Sequence, residues 1–198
     1  MATDHPLKDW FKSDKIFNSL YPLPIQDVAE KHWTPIAVAE KAAAFLAVSD
    51  DVKVLDIGSG SGKFCLTAAH LYPQTLFYGI EQRPGLVSLS QELAKKLGLE
   101  NVTFLCDNIT KADLSRYDHF YFYNAFYENI AGTQKIDNDI IYSEELYNYY
   151  NRHLYRQLDK KPAGTRLVTY HSFGSEVPES FEIVHTDYNE YLKFWIKV

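Results

Sequence analysis

Cysteine is scarce in this chain: Cys65 and Cys106 are the only two among 198 residues, and they form neither a CxxC pair nor a metal-ligand spacing. A disulfide scaffold and a cysteine-ligated zinc site are thereby excluded, and the usage fits a reducing cytosol with both thiols in the core. Histidine, aspartate and glutamate do not cluster at ligand spacing either, so no metal is expected. No apolar run reaches the length of a membrane span. The N-terminus carries charge at Asp4, Lys8, Asp9 and Lys12 in place of the apolar stretch of a secretory signal. The expectation is a soluble, cytoplasmic protein without a membrane partner. Positive charge is short as well, since 20 Lys and Arg against 26 Asp and Glu leave a net charge of −6. Broad electrostatic capture of nucleic acid is therefore not expected, although a local basic patch is compatible with the total.

What the chain does have is length enough for one packed core, with 46% hydrophobic residues, and a glycine-rich bend. Val54, Leu55, Asp56 and Ile57 form a short apolar run that enters Gly58-Ser59-Gly60-Ser61-Gly62-Lys63. Glycines at such a place let the chain turn sharply off a strand and bring backbone N–H groups close to a ligand at a helix N-terminus. Glu81 closes the next apolar run, at the separation where a carboxylate can accept from both ribose hydroxyls. The spacing discriminates among nucleotide loops. A dinucleotide fingerprint needs glycine where Lys63 stands, and a Walker loop needs glycine at Ile57 and Ser or Thr at Phe64.

The pattern that remains, apolar-apolar-Asp-apolar-Gly-x-Gly-x-Gly over Val54 to Gly62, resembles the signature of class I S-adenosylmethionine-dependent methyltransferases at every position. The resemblance implies S-adenosyl-L-methionine as cofactor and an α/β fold: a Rossmann-like, seven-stranded, mostly parallel sheet with a C-terminal antiparallel hairpin and helices on both faces. Periodicity agrees independently. Lys53 to Ile57, Thr75 to Ile80, Val102 to Cys106, Asp118 to Tyr123 and Thr165 to His171 read as strands. Lys63 to Leu71, Pro84 to Leu97 with Gly98 as its stop, and Tyr142 to Leu158 read as helices. Phe181 to Thr186 and Tyr191 to Val198 read as the hairpin. With the resemblance, this implies a methyltransferase-like catalytic domain over residues 53–198, and the expectation for residues 1–52 is an N-terminal helical cap segment. Trp10, Phe11, Phe17, Leu20, Tyr21 and Trp33 make that segment too apolar for a loose tail. Thr34-Pro35 opens a helix running to about Leu46. In the resembling family such segments cap the substrate cleft, which is the expectation for residues 10–33; packing on the outer face is the alternative.

The resemblance also assigns cofactor contacts. Gly58, Ser59, Gly60 and Gly62 would border the aminoacyl part of the donor, with Asp56 anchoring the loop or reaching the amine through water. Glu81 would hold the ribose, and Gln82 would lie beside the adenine plane. Asp107, with Asn108 next to it, falls where the family places an acid or amide near the adenine N6; a helix cap is the alternative for both. Lys63 is expected in solvent.

Methyl transfer from a sulfonium needs little covalent help, so the protein must position a nucleophile and keep it unprotonated. Asn124 follows the fourth strand, where the methyl group emerges, and belongs to both the cofactor-binding and the catalytic set. Its amide oxygen could accept from an attacking nitrogen, and Tyr127 could face the methyl group. Base and glutamine N-methyltransferases carry Asn-Pro-Pro-Tyr here, against Asn-Ala-Phe-Tyr in this chain; the Asn-Asn-Phe-Ala-Phe of Dot1-like lysine methyltransferases matches in part as well. Glu128 is the candidate general base, and His171 is a second by position. The implied reaction is methyl transfer to a nitrogen nucleophile, with a protein side chain or a small molecule as acceptor. An aminopropyl transferase and a non-catalytic S-adenosylmethionine-binding module stay open as alternatives.

Overall fold

The computed structural model describes residues 9–27 and 29–198, without the side chains of residues 30 and 31. The charged positions Asp4 and Lys8, and Val28 of the N-terminal segment, lie outside the described residues. Seven strands form one sheet: β1 Lys53–Ile57, β2 Leu76–Glu81, β3 Val102–Cys106, β4 His119–Tyr123, β5 Arg166–Tyr170, β6 Phe181–Asp187 and β7 Leu192–Lys197. Their spatial order is β3-β2-β1-β4-β5-β7-β6. β1 to β5 pair in parallel, β7 runs antiparallel to both β5 and β6, and the order reverses between β1 and β4. That reversal opens a crevice beyond the carboxyl ends of the strands.

The central strands β1, β4 and β5 are buried on both faces, as a covered parallel sheet requires, while the edge strand β6 is largely exposed. Val54 and Asp56 of β1 face one layer while Leu55 and Ile57 face the other. The first layer holds α4 Ile36–Leu46, α5 Lys63–Leu71 and α6 Pro84–Leu97 against the sheet. Alanines at 39, 42 and 43 let α4 approach closely, all three fully buried. The second layer is α7 Glu144–Asp159, whose Tyr150, Leu154 and Leu158 pack on Leu55, Phe120 and Leu167. Burying each of those leucines contributes about 1.5–3 kcal/mol. α7 starts cleanly because Ser143 accepts from the Leu146 N–H and two glutamates favour the positive end of the helix.

No α-helix joins β3 to β4; two 3₁₀ turns do, Ile109–Lys111 and Leu114–Arg116, capped by Asn108 and Asp113. The connection is short, and both caps favour turns over a longer helix.

The N-terminal segment comprises α1 Asp14–Asn18, α2 Leu23–Gln26 and α3 Ala29–His32. Phe17, Tyr21 and Trp33 are buried in the same cluster as α5. Lys63, expected in solvent, is 3% exposed. Its ammonium donates to Asp14 and to Asn18 at 2.9 Å and lies 5.6 Å from the Phe17 ring. The correction has a plain cause: the segment folds over the start of α5 and takes the lysine with it. Burial pulls the Lys63 pKa down while Asp14 pushes it back up.

Candidate active site

The bend after β1 has the geometry the glycines demand. Gly58 stands at φ +73°, and a Cβ there would sit 2.3 Å from that of Ala125 beyond β4. Gly62 stands at φ +81°, with the Phe104 ring 2.7 Å from where its Cβ would be. Glycine is required at both for conformation and for space. The loop's amides are already engaged, contrary to the expectation that they reach the ligand. Gly58 and Ser59 N–H both donate to the Ile80 carbonyl, at 3.0 and 2.9 Å, and Gly60 N–H donates to Glu81 Oε2 at 3.2 Å.

Glu81 ends β2 at 5% exposure. Its Oε1 accepts from Gln82 N–H (2.8 Å), Arg83 N–H (3.0 Å) and the Arg83 guanidinium (3.1 Å). Among the described residues Oε2 accepts only from Gly60 and keeps capacity for hydroxyl donors. Arg83, which the sequence reading passed over, is the centre of this region. Its guanidinium also reaches Glu128 at 2.7 Å, the Tyr142 hydroxyl at 2.7 Å and Asp137 at 3.0 Å. Burial works against the guanidinium charge, and the Glu81 and Glu128 carboxylates outweigh it, so the Arg83 pKa is raised. The one sequence signal was a charged residue placed between a strand end and the Pro84 that opens a helix.

This network revises Glu128. The expected general base is 8% exposed, with one oxygen on Arg83 and the other accepting from Ile136 N–H at 2.5 Å. A carboxylate so held braces the segment after β4 and is poorly placed to take a proton from an acceptor. Asn108 is revised too. Its Oδ1 accepts from Thr110 N–H and Oγ1, and its Nδ2 donates to Gln82 Oε1 at 2.7 Å and to the Tyr150 hydroxyl at 2.9 Å. Its amide is used up inside the protein as a cap, the alternative named above. Asp107 stays exposed, its Oδ1 accepting from Asn108 N–H at 2.7 Å.

Three adjoining chambers meet at Gly58. One of about 690 Å³ is lined by Gly60, Glu81, Asn124 and Tyr127, with His32 of the N-terminal segment at its wall. A second, about 430 Å³, runs past Gln82, Asp107 and Ile109. A third, about 300 Å³, lies among Asp56, Ser59, Ser61, Trp33 and Thr34. Asp56 is 4% exposed and 3.6 Å from the Cys65 thiol. Burial, with Glu81 adding to it and the Cys65 hydrogen bond opposing, pushes its carboxyl up to about 8.

Beyond β4 the site changes character. Asn124 holds φ +41°, a left-handed conformation that asparagine tolerates better than most side chains. Its amide makes no hydrogen bond among the described residues. Asn124, Tyr123 and Tyr127 line both the first chamber and an open groove of about 990 Å³ that continues past His171, Phe173 and Tyr191. Tyr127 faces Phe173 with ring centroids 6.1 Å apart, and His171 sits 4.5 Å from Tyr191. Burial lowers the His171 pKa, which favours its neutral form. Among the described residues no lysine or arginine lines this groove.

Residues 48–194 match the methyltransferase-domain family. The chain belongs to that family. Solved structures with the same fold include an RNA methyltransferase from Salinibacter ruber in complex with S-adenosyl-L-homocysteine, at TM-score 0.57 and 22% identity over 83% of this chain and 92% of that one. TrmN from Thermus thermophilus matches at TM-score 0.58 and 18% identity, over 88% of this chain and 52% of that one. Among curated relatives, a tRNA (guanine-N(7)-)-methyltransferase of Synechococcus sp. (strain JA-3-3Ab) is 49% identical over 55 residues, 28% of this chain and 23% of the relative. The 23S rRNA (uracil(1939)-C(5))-methyltransferase RlmD of Edwardsiella ictaluri (strain 93-146) is 40% identical over 76 residues, 38% of this chain and 17% of the relative. The chain thus spans about a quarter or less of the length of these curated relatives. The methyltransferase fold, its family and S-adenosylmethionine as the family's donor agree with the sequence reading. Among the described residues no helix is long and apolar enough to cross a membrane.

Proposed function

We propose that this chain transfers the methyl group of S-adenosylmethionine to a nitrogen nucleophile presented at Asn124. In this reading the aminoacyl part lies in the chamber of Asp56 and Ser59, Glu81 Oε2 takes the ribose hydroxyls, and the adenine runs past Gln82 and Asp107. The fit is of residues to ligand: a carboxylate with acceptor capacity left on the donor side, and an asparagine amide with no partner at the passage. The single observation that carries the reading is that Asn124 and Tyr127 line both the donor chamber and the aromatic groove. When bound, the donor supplies an activated methyl on sulfur, so the chain's own work is alignment. The Asn124 oxygen would accept a hydrogen from the attacking nitrogen and aim its lone pair, while ring faces at Tyr127 and Tyr123 stabilise the cation that forms as the N–C bond is made. Residues 10–33 would cap the cleft through His32 and Trp33.

The relatives named as tRNA and rRNA methyltransferases support a nucleobase as the acceptor, which weakens the argument from net charge. The aromatic segment around Asn124, with its partial likeness to Dot1-like enzymes, favours a protein side chain as the second reading. Methyl-labelled donor incubated with separated RNA, protein and small-molecule fractions tests this. Label is expected in one fraction, and Asn124→Ala is expected to slow its transfer about 10–100-fold with donor affinity unchanged. Donor binding without label in any fraction would instead mark a non-catalytic binding module.

A further inference from the structure

α7 carries a second opening on its outer side, apart from the donor chambers. This groove, about 880 Å³, is lined by Tyr147, Asn151, Arg152, Tyr155 and Arg156, and Ser175 of the loop after β5 closes it. Spacings of four residues put Tyr147, Asn151 and Tyr155 in one row and Arg152 and Arg156 in the next. Acids outnumber bases by six in this chain, yet neither guanidinium has an ion pair or hydrogen bond among the described residues. Asn151 is an independent sign. It is 6% exposed, it lines the groove, and its Nδ2 is buried without a hydrogen-bond partner. Buried amide donors are ordinarily paired, and this one finds no acceptor among the described residues. Ser175 is two residues from Phe173 of the aromatic groove, at most about 7 Å along the chain. One loop therefore borders both openings.

We propose that the α7 groove binds the sugar-phosphate chain of a single-stranded RNA next to the nucleotide whose base enters the aromatic groove. This rests on the methyltransferase reading of the cleft and adds to it the class of acceptor. The chemistry is divided between two sets of side chains. Arginine forks match phosphate oxygens bidentately, and tyrosine faces accept stacked bases. Among the described residues the aromatic groove has no lysine or arginine to hold a phosphate, and the α7 groove has two arginines.

Fluorescence anisotropy with a labelled single-stranded RNA of about 12 nucleotides, added to the full chain, reads this without any need for methyl transfer. The wild type is expected to bind with salt-dependent affinity. The double variant R152Q/R156Q is expected to bind about tenfold or more weakly, with the log–log salt slope reduced by about 0.7 per arginine. Both side chains are exposed, and unchanged adenosylhomocysteine binding would verify the fold of the variant. Equal affinity and slope in the two proteins would overturn the proposal. So would displacement of the RNA by AMP or by polyglutamate at matching concentrations, the first marking a mononucleotide site and the second a general anion surface. Binding of a protein acceptor through the same arginines, with RNA left unbound, would overturn it in favour of a protein partner. RNA bound through the arginines with no fraction accepting label upholds the groove and fails the reaction; label transferred with RNA binding indifferent to the arginines does the reverse.

Discussion

On the donor side of the cleft the chain closes on itself, whereas on the acceptor side exposed rings stand on loops. Gly58, Ser59 and Gly60 give their N–H groups to Ile80 and Glu81, and the Glu81 and Arg83 side chains are each 5% exposed. Across the passage Tyr127 is 38% exposed, Tyr191 54% and Phe173 67%. Asn124 and His171 hold left-handed conformations without being glycine. One donor molecule needs one shape, and a hydrogen-bonded backbone keeps that shape. In the proposed reading, acceptor choice would sit in side chains on connecting segments, where replacement leaves the sheet undisturbed.

If the donor side is preorganised through Arg83, then Arg83→Leu should have the largest effect. It strands the Glu81 and Glu128 carboxylates in a buried setting, and a loss of about 3–5 kcal/mol is expected in denaturant unfolding. A loss below about 1 kcal/mol would mean that the two carboxylates find water and that the donor side is as loose as the acceptor side.

Asp56 gives the next effect, and its sign is fixed. An unfolded aspartate ionises near pH 4, while the folded group holds its proton up to about 8. The folded chain thus binds the extra proton between those values, so this group's contribution is intact below about pH 4 and is lost as pH rises through about 8. Asp56→Asn keeps the neutral shape. Its stability relative to wild type should climb by at least about 2 kcal/mol from pH 5 to pH 8 and then level off. A difference that stays flat over that interval would show Asp56 to be ionised in the folded chain.

The smallest effect should come from the acceptor side. Phe173→Ala is expected to leave unfolding within about 0.5 kcal/mol of wild type and to raise the acceptor KM about fivefold. A large stability loss there would erase the contrast between the two sides.

The same contrast governs what could be read from the sequence. β1, the bend and α5 follow from neighbours in the chain: an apolar run, glycines with no Cβ, and a helix start. The hairpin at the end was legible through two strand-like runs around a four-residue turn, Asp187 to Glu190. Arg83 was not, because its partners at 128, 137 and 142 come from the long segment after β4, and no local pattern binds position 83 to them. Lys63 was misread for the same reason, its partners Asp14 and Asn18 lying 49 and 45 residues away. Asn108 was legible as a cap but not as the link between Gln82 and Tyr150. The α7 groove went unseen since its rows of tyrosine and arginine take on meaning only beside the loop that carries Ser175.

The account depends on the ribose being clasped by Glu81 beside the glycine bend. Calorimetric titration with adenosylhomocysteine, on the wild type and on Glu81→Gln, tests that directly. Saturable single-site binding is predicted for the wild type, with a loss of about 2 kcal/mol in the variant. Folded wild type that binds nothing, or a variant that binds equally well, would contradict it.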